Sequence, residues 1–345
     1  MMSAFNITHQ KIHTWRRGPW SGFFKGLTVA CVLLALPAFS QTMYSSPVGP
    51  VGPSGESPVE FRFGGGLMYS FGENFWQEKT GFVPTVSGPV RVVSDLEYNE
   101  LTSLQLLLAA EVNFNQRFGV SGRFHIGSFS DGEGADTDYI EGAGLDGFRI
   151  SKSEDDLDGD TYGGQIRAHL LLPENEVGKF DLFIGYLHQT DNTTSKNGVQ
   201  TIIDEERVSQ PFSGLASTYD FEWHGLEVGA RGVVPVNDRG LSIGGSFAVS
   251  PFLSYEGEGF WNLRDDFKRT PPNFIHEADG VGISADLSLN YARENYHFSL
   301  GYFYQNLQAN DGTSETFFAD GDTGFSDLEA ESTWQGVLLG AGVAF

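Results

Sequence analysis

The stretch "TWQGVLLGAGVAF", Thr333 to Phe345, places Val337, Leu339, Ala341, Val343 and Phe345 at every second position. Between them stand Gly336, Gly340, Gly342 and Ala344, with Leu338 the one large residue. Strict alternation over a dozen residues is the period of a β-strand with one apolar face. A soluble sheet hides such a face against a core, whereas a membrane barrel shows it to lipid.

The same alternation recurs along the chain. It predicts ten strands, near 60–71, 102–114, 117–129, 161–172, 179–190, 217–234, 240–257, 281–292, 296–308 and 333–345. On several of them the opposite face is small and polar. One has Arg117, Gly119, Ser121, Arg123 and His125, and another has Gly163, Gln165, Arg167 and His169. Turns such as "NFNQ", "PENEVG", "PVNDRG" and "REN" are short, while the segments near 72–101, 130–160, 191–216, 258–280 and 309–332 are long. That sorting is the habit of an outer-membrane barrel, whose short turns face the periplasm and whose long loops face outward. The fold expected over 60–345 is all-β: a ten-stranded antiparallel transmembrane β-barrel with long extracellular loops and short periplasmic turns. A hydrophobic fraction of 40% and a mean hydropathy of −0.22 exclude a helical membrane protein. They suit a barrel, in which only alternate residues meet lipid.

Residues 1–40 read as a signal peptide. "KIHTWRRGPWSGFFK" is a basic segment, "GLTVACVLLALPAFS" is a short apolar run, and Ala38-Phe39-Ser40 is a cleavage context. The run is shorter than the ~20 residues that span a bilayer. Residues 41–59 are a Pro/Gly-rich flexible lead-in. Removing the leader takes away Lys11, Arg16, Arg17, Lys25 and the one cysteine, Cys31, and deepens the formal charge of −24. That charge argues against nucleic-acid partners. The expected location is the outer membrane of a Gram-negative-type envelope, with loops on the cell surface. The expected partners are outer-membrane lipid, lipopolysaccharide and the barrel insertion machinery, for which Phe345 resembles the terminal signal.

Facing inward, the alternation places Glu60, Arg62, Glu111, Arg123, Arg167, Asp181, Glu227, Arg231 and Asp286. Opposite charges in a narrow lumen need partners. Our reading is a paired, hydrated network, and the alternative is an ion path. The most acidic segment, 130–160, holds eleven Asp or Glu against two basic residues. Its Glu154, Asp156, Asp158 and Gly159 have the opening spacing of a calcium loop, but Gln165 stands where the closing glutamate belongs. No cofactor or metal site is expected. The chain has no G-x-S-x-G and no phosphate loop.

The ten-strand count with five long loops resembles the omptins, outer-membrane aspartyl-type proteases. "TYDFEWHGLEVG" (218–229) is similar to an omptin strand, and "ADTDYI" (135–140) resembles the omptin D-x-D motif of the second loop. "GFWNLRDDFKRTPPNFIHEADGVG" (259–282) resembles omptin-like proteins of unassigned function. The resemblance implies that Asp136 and Asp138 form one acidic pair, facing an Asp-x-His pair across an attacking water, with the His as general base. No Asp-x-His occurs in the chain, and the aligned position falls near Phe260 or Trp261. His276, three residues before Asp279, is the substitute in that loop. The expectation is a non-proteolytic barrel of surface-binding or structural role. The alternatives are an omptin-type protease using Asp136, Asp138 and His276, and a small channel.

Overall fold

The computed structural model describes residues 59–114, 117–174 and 177–345. The predicted signal peptide and residues 41–58 of the lead-in lie outside the described residues. The strands are β1 (Glu60–Lys79), β2 (Val83–Thr85), β3 (Gly88–Asn113), β4 (Phe118–Gly142), β5 (Phe148–Leu171) and β6 (Lys179–Ile203). They continue with β7 (Glu206–Pro211), β8 (Thr218–Pro235), β9 (Leu241–Phe260), β10 (Phe274–Arg293), β11 (Tyr296–Phe317) and β12 (Thr323–Ala344). Every pairing is antiparallel, and β1 bonds to both β12 and β3, so the sheet closes into a ring. Closure leaves no unpaired strand edge where water is absent.

The sheet has 12 strands where the sequence reading counts ten. The additional two are β2 and β7, of 3 and 6 residues, which pair only with β3 and β6. Both are too short to show alternation, and both lie in stretches read as loop. Those stretches are themselves largely strand. β3 is 26 residues long, more than twice the ~9–11 that cross a bilayer.

The long segments escape a simple alternation count because the apolar face changes sides. In the half of each strand nearest Glu60 and Phe345, large apolar residues point outward and are exposed, among them Leu67, Leu106, Ile166, Ile184, Val228, Leu287, Leu300 and Leu339. In the other half of the long strands most are buried, with Val92, Ile203 and Phe325 as exposed exceptions. On β8, Leu226 and Val228 are exposed, while Tyr219, Phe221 and Trp223 are fully buried. Bulges add to the effect, shifting the register between Asn99 and Thr102, Phe129 and Glu133, and Ala309 and Gly312. Tyr98 and Leu104 therefore share a parity, yet the first is buried and the second exposed. The barrel thus has an apolar-skinned half beside Glu60 and Phe345 and an extension beyond it that is apolar-cored and acidic outside.

Candidate functional site

In the apolar-skinned half, the inward face carries the charges. The Arg231 guanidinium donates to Asp181 at 2.8 Å and to Glu111 at 2.7 Å. Arg167 grips Glu227 with two bonds of 2.7 and 3.0 Å and lies 4.2 Å over the Phe183 ring. Arg62 pairs with Glu60 at 2.7 Å and approaches Glu111 at 3.7 Å. His169 joins the network through Asp181 at 2.8 Å and Ser121 at 2.7 Å. Asp286 accepts from Ser246 at 2.6 Å, and Arg123, Arg167 and Arg231 all bear on it electrostatically. Small cavities of about 30 and 50 Å³ lie within this network, with Arg123, Arg167 and Asp286 lining both.

Above the charges sits Asp191, fully buried on β6. It accepts from Asn74 (3.1 Å), Thr161 (2.7 Å), Gln189 (2.8 Å) and Trp334 (3.1 Å), so one carboxylate ties together β1, β5, β6 and β12. The sequence reading missed it. The available signal was the inward parity of "HQTDNTTS" (188–195), an acid and hydroxyls on the side that elsewhere faces the lumen.

Beyond Asp191 the extension is filled with rings. Trp76, Tyr98, Phe129, Tyr219, Phe221, Trp223, Tyr255 and Trp334 form one buried cluster. Its packing is mostly edge and tilted contact, as between Tyr98 and Phe221 at 5.6 Å and Trp223 and Tyr255 at 4.6 Å, while Phe129 and Trp334 stack at 5.9 Å.

His276 packs against this cluster and is fully buried. Its ring meets Trp76 at 5.0 Å, and its Nδ1 contacts the Tyr219 hydroxyl at 2.5 Å. Tyr219 in turn contacts the Tyr255 hydroxyl at 2.7 Å. Burial lowers the His276 pKa to about 3, so the imidazole is neutral. Asp136 and Asp138 lie on β4. Asp138 accepts from Ser94 at 2.7 Å and from Ser151 at 3.0 Å, and Asp136 accepts from the Trp261 indole at 3.3 Å. Trp261 also packs on Trp76 at 6.4 Å, and Trp76 on His276 at 5.0 Å. Among the described contacts, the two groups that hydrolysis would need together have different partners.

The acidic stretch with calcium-loop spacing is extended strand. Glu154, Asp156 and Asp158 follow one another at alternate positions of β5. Lys196 and Asn197 of β6 contact Asp158 and Asp156.

The sequence profile of the Protochlamydia outer membrane protein (Pom) family matches residues 72–345. The chain belongs to that family. As a Pom-family barrel it is an outer-membrane protein, and its fold is omptin-like. It superposes on the outer membrane protease OmpT of Escherichia coli with a TM-score of 0.67 at 12% identity, covering 88% of this chain and 99% of that one. Such identity speaks for the fold alone. A FadL homologue of Pseudomonas aeruginosa aligns at TM-score 0.28 and 8% identity, over 83% of this chain and 90% of that one. OprG of the same organism aligns at 0.23 and 12%, over 83% and 95%. Neither carries an argument about this chain. No curated protein sequence matches it.

Proposed function

We propose that this Pom-family barrel is a closed, non-proteolytic surface protein whose acidic extension binds or scaffolds outside the cell. Ten strands, all but β2 and β7, cross the bilayer. Short turns face the periplasm, and the mouth at 261–273 faces outward. Lipid and lipopolysaccharide surround the apolar band, and the insertion machinery reads Phe345.

The observation that carries this reading is Trp261. Omptin-type hydrolysis needs a water held between a basic imidazole and a carboxylate pair. Here an indole N–H bonds Asp136, and an indole cannot take a proton from water. His276 is neutral, buried and engaged by Tyr219. Refolded protein with lipopolysaccharide should leave peptides with paired basic residues intact, under conditions in which OmpT cleaves them. Cleavage that disappears in both Asp138→Ala and His276→Ala variants would overturn the proposal.

The channel alternative finds little support in the lumen volume. The cavities within the charge network, of about 30 and 50 Å³, hold a few waters each, at roughly 10–15 Å³ per water. Planar bilayers holding the protein should show no stable conductance, and steady ohmic steps would refute closure.

A further inference from the structure

The loop joining β9 to β10, residues 261–273, bridges its neighbours at the mouth. Asn262 accepts from the Ala216 backbone at 2.9 Å and donates to the Gly214 carbonyl at 2.7 Å, tying it to the segment before β8. On the other side, the Lys268 amide donates to the Phe317 carbonyl and the Ala319 amide to the Asp266 carbonyl, each at 2.9 Å. From its first residue, Trp261 reaches Asp136 of β4. In the ring, β9 and β4 stand four strands apart one way and six the other, so this bond spans the mouth. Beneath the loop lie Trp76 at 6.4 Å, Tyr219 at 6.1 Å and Phe274 at 5.0 Å from the Trp261 ring.

We propose that residues 261–273 form a lid over the barrel mouth, latched by Trp261 on Asp136 and held more firmly as the pH falls below neutral. The groups that face Asp136 are Asp138 on its own strand, Tyr98 of β3, Asp155 of β5 and Arg264 of the lid. Glu78 of β1 faces Asp138. Burial first, and then the Asp138 charge, raise the Asp136 pKa to about 7; the Trp261 bond, which favours the ionised carboxylate, and then Arg264 only partly offset them. Asp136 is half-buried under the closed lid; with the lid open it is fully hydrated and returns toward the ordinary value near 4. Between about pH 4 and 7 the closed form therefore binds more protons, and acidification favours it. Above pH ~7 Asp136 is ionised in both forms, and the closed form bears the whole cost of burial and repulsion.

The lid does not depend on the proposed surface role, and its test uses neither substrate nor conductance. Hydrogen exchange of the refolded barrel is measured by mass spectrometry at about pH 5 and pH 8, corrected for the intrinsic rate. Amides of 261–273 should be at least about tenfold more protected at the lower pH, with peptides from the apolar band unchanged between the two. Asp136→Asn should show equal lid protection at both. Wild-type protection that ignores pH, or a pH effect that survives in Asp136→Asn, overturns the lid. Should that variant fail to give a heat-modifiable barrel, Trp261→Phe decides. Loss of lid protection at pH 5 with band peptides intact supports the latch, and unchanged protection refutes it.

Discussion

Arg231 is the residue on which the lumen network turns. It serves two carboxylates from different strands, Glu111 on β3 and Asp181 on β6, and both are buried. Removing one partner of a buried ion pair costs about 3–5 kcal/mol, because the other charge is left in low dielectric. Small cavities beside the network let water soften that figure. Arg62 makes the useful contrast, since its nearest acid, Glu60, is 46% exposed and can turn to solvent. Arg231→Ala should lower the urea midpoint markedly, and Arg62→Ala should lower it less. Equal midpoints for the two variants would show that Arg231 is solvated rather than structural.

At the scale of the element, closure of the ring depends on the seam between β1 and β12. Phe345 and Phe61 exchange backbone bonds of 2.8 and 3.3 Å, and their rings stack at 6.4 Å. Farther up the seam Gly72 pairs with Trp334, and a Cβ at Gly72 would stand 2.5 Å from the indole. Glycine is needed there to let the ring lie against the strand on its way to Asp191. Deleting Phe345 removes both terminal bonds and an aromatic at the rim, where such side chains favour the membrane interface. The deletion should reduce heat-modifiable barrel in the outer-membrane fraction and leave chain in the periplasm. Identical yields from the two forms would dismiss Phe345 as an insertion signal.

The molecule as a whole carries a formal charge of −24, and some of its acids stand in register. Across three adjacent strands Glu222 lies opposite Glu256, and Glu256 opposite Glu277. In the neighbouring row Asp220 faces Glu258. Like charges directly opposite on a sheet are destabilising. Self-repulsion between exposed charges weakens with salt, as the screening length falls from ~30 Å at 0.01 M to ~10 Å at 0.1 M. Raising the ionic strength over that range should therefore raise the urea midpoint of the refolded barrel. A fall would mean that the ion pairs of the lumen, rather than repulsion in the extension, dominate its electrostatics.

The terminal stretch 333–345, and others like it, determined the closed β architecture, because lipid accepts only an apolar face with every backbone bond satisfied, and with helices excluded by composition a closed period-two sheet is what can present it. The inward set that includes Arg62, Glu111, Arg167 and Arg231 was read from the same alternation. The extension was not. Once a strand leaves lipid its outward face turns polar and its inward face apolar, and bulges at Asn99/Thr102 and Phe129/Glu133 slip the parity, so one alternation count cannot follow it. Partner choice was equally hidden. Nothing in the spacing of Asp136, Trp261 and His276 says that the indole takes the carboxylate while Tyr219 takes the imidazole. Those pairings arise between β4, β8, β10 and the lid, at chain separations of 125 and 57 residues, and only the curvature of the closed sheet brings them together.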